Sequence, residues 1–350
     1  MKEQVHGGDV YRYPDVIDFS SNMNPLGTPD SLKQAVIASM ERISQYPDVN
    51  CERLTKALSV YEGVEKEQLI CGNGAADLIF SLVQAMKPKK ALLQAPTFAE
   101  YAQALETVDC EIEYFDSSAD GFYVTEKYLD ALAKKPDIVF LCNPNNPTGF
   151  VLDKELLVKI ADICEQQRTL LVVDECFQDF IAHEKKFTLK EKCRDHQYLF
   201  ILKAFTKRYA MAGLRLGYGI TGNQMLIEKM ERITQPWNVS LPAQEAGVAA
   251  LKETAYVEEG LQMVQTELCW LKKKMNALGL KVYDSQANYL FFEGPANLKE
   301  ECLKKHLLIR SCSNYPSLGE GYFRIAVKQH KDNQKLIEAL KEILSLQTFF

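Results

Sequence analysis

Cations stand in a stretch that otherwise reads as core. In KAFTKRYAMAGLRLGY, residues 203–218, Lys207 and Arg215 sit among Ala, Met, Leu and Gly. Burying both costs roughly several kcal/mol unless each finds a strong partner. An arginine can clamp a phosphate with two parallel hydrogen bonds. A lysine amine in an apolar surround can condense with a carbonyl carbon.

Three other motifs offer groups of matching chemistry. CGNGAADLIF (71–80) is a turn of small residues opening a helix, where free backbone N–H groups can cradle a phosphate. NPNNPTG (143–149) holds amide side chains in a Pro-framed loop, and VVDE (172–175) ends a buried run on Asp174. Alone, the first two also suit plain turns, and Asp174 also suits a structural ion pair. Together they have one economical explanation. Gly74 and Ala75 offer backbone donors to a phosphate, Thr206 adds a hydroxyl and Arg215 clamps the same dianion. Asp174 can hold a proton on a ring nitrogen, Asn146 can bond a ring oxygen, and Lys207 can form an imine with a ring aldehyde. That set describes a site for pyridoxal 5′-phosphate.

The elements that would carry these groups alternate. ALLQAP (91–96), DIVFLCNP (137–144), TLLVVDE (169–175), YLFILKAF (198–205) and LRLGYGI (214–220) read as buried strands. Helical spacing occupies 76–86, 98–106, 125–134 and 153–167 between them, then 222–235 and one long helix over 242–278. Continuously apolar strands separated by helices predict an α/β fold with a mainly parallel, doubly wound sheet. Ligands of such sheets bind beyond the carboxyl ends of the strands, where the motifs fall. ANYLFFEG and YFRIAVK, closed by a helix at 331–346, predict a smaller α+β domain. The division reads as a large domain over 30–244, with an N-terminal arm (1–29) joining 245–350 in the smaller one.

Composition bounds the function. At 350 residues, 47% hydrophobic and 25% charged, the chain suits one large globular domain plus a smaller one. A net charge of −6 argues against nucleic acid or a membrane surface as the main partner. The N-terminal MKEQVHGGDVYRYP lacks an apolar run, so no signal peptide is expected. Ten cysteines are scattered singly with no C-x-x-C pair, which fits reduced core thiols in a cytoplasmic protein and no metal site. No nucleotide-binding glycine motif occurs, and a nucleotide module would leave Lys207 unexplained.

The ordered set G-N-G-A, P-T-F, N-P-N-N-P-T-G, V-V-D-E, T-K and G-L-R-L-G-Y resembles the fold-type I pyridoxal-phosphate enzymes of the class I/II aminotransferase superfamily. The resemblance covers nearly the whole chain and implies the aspartate-aminotransferase-like fold. It is similar to histidinol-phosphate aminotransferases, and more so to the L-threonine O-3-phosphate decarboxylases of cobalamin synthesis. HGGDVYRYPDVIDFSSNMNPLG (6–27) and LLIRSCSNYPSL (307–318) carry the finer match.

By resemblance, Lys207 is the cofactor-bound lysine, Asp174 pairs with the pyridine nitrogen, Asn146 bonds the ring oxygen and Phe98 stacks on the ring. Gly74, Ala75, Thr206 and Arg215 hold the cofactor phosphate. Tyr46 reaches the phosphate of the neighbouring subunit, which implies a homodimer. Arg324, Arg310, His6 and Asn22 are the expected substrate-binding residues. Tyr11 and Tyr315 are expected to pack at the domain seam. Ala204 and Phe177 depart from the pattern, since many relatives have a hydroxyl at each position. The implied activity is decarboxylation of threonine phosphate or a similar phospho-amino acid such as phosphoserine. An amino-group transfer from histidinol phosphate to 2-oxoglutarate is the alternative, and a non-catalytic pyridoxal-phosphate-binding regulator is a third.

Overall fold

A computed structural model describes residues 6–183 and 186–347. Residues 1–5 and 348–350, assigned from sequence to the arm and the smaller domain, lie outside the described residues. A short strand β1 (Ile17–Asp18) precedes the main sheet. That sheet has seven strands: β2 (Leu69–Gly72), β3 (Lys90–Ala95), β4 (Glu111–Asp116), β5 (Ile138–Cys142), β6 (Leu170–Asp174), β7 (Leu199–Ala204) and β8 (Gly217–Ile220). Their order is β2-β8-β7-β6-β5-β3-β4. All neighbours are parallel except β8, which runs antiparallel to both β7 and β2. This reversal matters for the site. It sets Gly217, the start of β8, opposite both Gly72 and Ala204, so the residues leading into β8 reach the edge where the parallel strands end.

β5, β6 and β7 are buried at every position, because helices cover both faces of the sheet. Alternation along β5 feeds two separate apolar clusters, one containing Val139 and Leu141 and the other Ile138 and Phe140. The helix Lys154–Gln167 starts where the Asp153 carboxylate accepts from the N–H groups of Glu155 and Leu156.

Two strands of the main sheet escape the sequence reading. β4, EIEYFD, is a sheet-edge strand with half its residues exposed, so it lacks an apolar run. β2 is only four residues and merges with the small-residue turn after it. The long helix expected over 242–278 is two helices, Leu241–Ala250 and Thr254–Ala277. The break at 251–253 contains neither Gly nor Pro, so no local signal marks it. Helices at Asp30–Ser39 and Glu52–Glu62 are further elements absent from the sequence reading.

The C-terminal sheet is antiparallel, in the order β12 (Arg310–Ser311), β13 (Tyr322–Ala326), β10 (Tyr289–Glu293), β9 (Lys281–Val282). It shares an apolar cluster with the helices Thr254–Ala277 and His330–Gln347. The arm joins this unit: Ile17 and Asp18 pair in parallel with Leu307 and Leu308, which form β11. Phe19 is fully buried in the same cluster. All ten thiols are free, and Cys269 alone among them is exposed. No described helix is long and apolar enough to cross a membrane.

Candidate active site

One cleft opens at the carboxyl edge of the main sheet, and residues from both sheets and the arm line it. Lys207 and Thr206 enter on the one-turn helix Phe205–Arg208 that follows β7. Asp174 is the last residue of β6. Asn146 sits in the loop after β5, which is tied down on two sides. The Asn145 side chain donates to Pro96 O (3.0 Å) in the loop after β3, and Tyr289 Oη of β10 donates to Asn145 O (2.8 Å).

Asp174 is 4% exposed and accepts hydrogen bonds from Tyr101 Oη (2.6 Å) and the Cys176 N–H (2.9 Å). It has no ion pair among the described residues. Burial raises its pKa, against the pull of those two hydrogen bonds and Lys207. Tyr101 is a site residue that sequence reasoning missed. It lies one helical turn beyond Phe98, in PTFAEY, and that spacing is the signal that could have found it. The Lys207 amine is held down to a pKa of about 8, chiefly by burial and then by Arg324 and Arg215. A substantial share is therefore neutral near pH 8, the form that attacks a carbonyl. Its Nζ stands 5.9 Å from the centre of the Phe177 ring.

These residues fit a phosphorylated pyridine aldehyde. Gly74 has φ +89°, and a Cβ there would lie 2.6 Å from Nη2 of Arg215. A Cβ on Gly217 would lie 2.6 Å from the Ala75 nitrogen. The turn thus presents bare backbone at the start of the helix Ala75–Met86, with a guanidinium beside it. Asp174 is a buried carboxylate with room for one more donor, as a pyridine N–H would be. Phe98, at the entry to the helix Ala99–Glu106, lines the same space.

The expected substrate residues also converge. Arg324, 6% exposed on β13, donates from Nη1 to Asn146 Oδ1 and from Nη2 to Ser20 O (2.7 Å). Arg310 of β12 lies 5.5 Å from the centre of the Tyr315 ring and bonds Asn314 Oδ1 (2.8 Å). Asn22 is 1% exposed, and its Oδ1 has no hydrogen-bond partner. His6 approaches Glu100, Nδ1 to Oε1 3.4 Å. Glu100 is another cleft residue that sequence reasoning missed, since an acid among anion-binding groups has no motif. Tyr315 lines the cleft as well, whereas Tyr11 is 97% exposed and packs at no seam. Tyr46 lies outside this cleft, stacked on Trp237 at 4.3 Å and 77% exposed.

The expected burial of both cations is corrected by the structure. Lys207 is half-buried and Arg215 is exposed at the cleft mouth. The deeply buried cations of the stretch are Lys203 and Arg208, and both have carboxylate partners. Lys203 Nζ lies 3.2 Å from Glu62 Oε1, and Arg208 Nη1 lies 2.5 Å from Asp179 Oδ1. Partners so distant in sequence cannot be paired by inspection.

A family model for aminotransferase class I and II matches residues 14–340. The threonine-phosphate decarboxylase of Salmonella typhimurium is 37% identical, over 97% of this chain and 97% of its own. A histidinol-phosphate aminotransferase of Methanosphaera stadtmanae is 31% identical, over 94% of this chain and 90% of its own. The solved histidinol-phosphate aminotransferase from Clostridium acetobutylicum superposes with a TM-score of 0.87 at 29% identity, covering 93% of this chain and 98% of that one. The fold is aspartate-aminotransferase-like, as the motif order implied. The chain belongs to the class I and II aminotransferase family, and its cofactor is pyridoxal 5′-phosphate.

Proposed function

We propose that this chain decarboxylates L-threonine O-3-phosphate, or a close phospho-amino acid such as phosphoserine, to the amino-alcohol phosphate. The observation that carries this reading is a second set of anion-binding groups in the cleft. Arg215, beside Gly74 and Ala75, serves the cofactor phosphate. Arg310 and Arg324, on the C-terminal sheet, line the same cleft and serve the substrate. The 37% identity to a threonine-phosphate decarboxylase supports the same substrate class.

The bound cofactor supplies an electron sink for the bonding pair released at the substrate α-carbon. The protein residues do the rest. Asp174 holds a proton on the pyridine nitrogen, which keeps the ring cationic. Asn146 bonds the ring oxygen and Phe98 covers a ring face. Lys207 offers the neutral amine that attaches the cofactor. Arg310, Arg324, His6 and Asn22 take the substrate phosphate. With that anchor filled by the substrate phosphate, Arg310, Arg324, His6 and Asn22 would orient the substrate so that its carboxylate, rather than its α-hydrogen, is the group lost. Lys207, carrying a proton taken from the incoming substrate ammonium, would then deliver it to the α-carbon in place of the departing CO2. The active unit is a homodimer in which Tyr46, exposed on one protomer, reaches the cofactor phosphate of the next.

Threonine phosphate incubated with holoenzyme and no 2-oxoacid should release CO2 and leave the amino-alcohol phosphate. Strict dependence on 2-oxoglutarate would reject the reading. It would favour the alternative, an aminotransferase acting on histidinol phosphate, whose phosphate suits the same anchor and which has no carboxylate to lose. The 31% identity to a histidinol-phosphate aminotransferase keeps that second reading in view.

A further inference from the structure

Glu100 is out of keeping with its surroundings. It lies in a cleft built to take anions, on the first turn of the helix Ala99–Glu106. Its side chain is 15% exposed, and its Oε2 is buried without a hydrogen-bond partner. Its only ion-pair contact among the described residues is His6, at 3.4 Å. Lys207 and Arg310 also act on it from the one-turn helix after β7 and from β12, while Asp174 of β6 opposes them. Cys142 of β5 and Tyr315 are further titratable groups within its field, and Arg215 and Arg324 line the same cleft. Burial dominates the balance and pushes the Glu100 carboxyl up to about 7. His6 is pulled the other way, by burial and then by Arg310.

Two groups in contact thus hold protons weakly near neutrality, beside the arginine assigned to the substrate phosphate. A dianion placed at Arg310 cancels the positive field that lowers His6 and adds a negative field that raises Glu100. Both changes favour protonation. An ionised Glu100 would repel the incoming phosphate, whereas a protonated one removes the repulsion and can donate a hydrogen bond. We propose that Glu100 and His6 act as a proton-sharing pair that takes up a proton when a phosphorylated substrate enters the cleft. The pair adjusts the charge of the pocket to a doubly negative ligand. By linkage, phosphate affinity falls as pH rises above neutrality, because the proton must then be drawn from a scarcer supply. This inference rests on the phosphate-anchoring reading above.

The test is calorimetric titration of the holoenzyme with inorganic sulfate, a dianion that does not itself titrate near neutrality. Repeating it at pH 7.5 in buffers of different ionisation enthalpy counts the protons taken up. The wild type should gain roughly half to one proton per sulfate bound. Glu100→Gln should lose at least about half of that uptake, and His6→Asn should lose the remaining share but keep the part due to Glu100. Sulfate binding with no proton uptake, or uptake unchanged in Glu100→Gln, overturns the pair while leaving the phosphate anchor intact. Failure of sulfate to bind at all overturns both the pair and the anchor. Release of CO2 from threonine phosphate is read independently of either.

Discussion

Asp174 and Glu175 are adjacent acids at the end of one strand, yet they live in different worlds. Alternation along β6 sends their side chains to opposite faces of the sheet. Asp174 faces the cleft with two neutral donors and no ion pair among the described residues. Glu175 faces a closed cluster, where Thr188 Oγ1 (2.9 Å) and the Leu189 N–H (3.3 Å) donate to it. Lys203 acts on Glu175 from β7 and meets Glu62, which also accepts from Lys190 (2.7 Å) and Tyr218 Oη (2.5 Å). The two lysines of the KAFTK segment divide the same way: Lys203 is closed into carboxylates, while Lys207 lines the open cleft. The lesson is that buried charge becomes structural when the fold closes it with partners. It remains available for chemistry when the fold leaves a partner to be supplied by a ligand.

Substitutions on the two faces should therefore fail in different ways. Lys207→Ala should lower decarboxylation by about 10³-fold or more, since it removes both the attaching amine and the proton donor. The purified variant should also lack the visible absorption band of the lysine-bound cofactor. Its stability in urea should stay level or rise at pH 7, because burial already holds the Lys207 ammonium down to about 8 against its usual 10.5. Full turnover in this variant would end the proposed mechanism.

On the other face, Glu62→Ala should cost about 3–5 kcal/mol by leaving buried cations without their carboxylate. Denaturant unfolding of the cofactor-free protein measures it. The same pairing sets a pH dependence. Burial alone would raise the Glu62 carboxyl, but Lys203 and Lys190 outweigh it and hold it down to about 2, from 4.5. A depressed folded-state value means the contribution is complete above 4.5 and is lost as pH falls toward 2. Wild type should lose stability across that window, and Glu62→Ala should lose much less. Equal slopes would show that the cluster is not what acid attacks. The smallest effect should come from Thr188→Val, which removes one neutral donor from Glu175 and should cost about 1 kcal/mol, with turnover unchanged. A large loss of turnover instead would mean that the closed face steers the chemistry on the open one.

The sequence was most legible where chemistry is carried by short contiguous words. G-N-G-A, N-P-N-N-P-T-G, V-V-D-E and T-K named the residues that the structure gathers in one cleft. The buried strands β5, β6 and β7 were equally plain, since continuous apolar runs have few alternatives. It was least legible where the outcome depends on remote partners. Edge strand β4 carries polar residues because one side meets solvent, and the break between Ala250 and Thr254 shows no Gly or Pro.

Residue types and their order alone determined the cofactor chemistry of this chain, because a lysine, an acid, an amide and a bare glycine turn each have few uses in that sequence. Only the tertiary structure decided which cations of KAFTKRYAMAGLRLGY are buried in ion pairs and which line a cleft. It also placed Glu100 against His6 and the antiparallel β8 so that Arg215 reaches Gly74. The reason is physical: burial and charge pairing depend on distances between residues far apart in the chain, and those distances exist only once the sheet has formed.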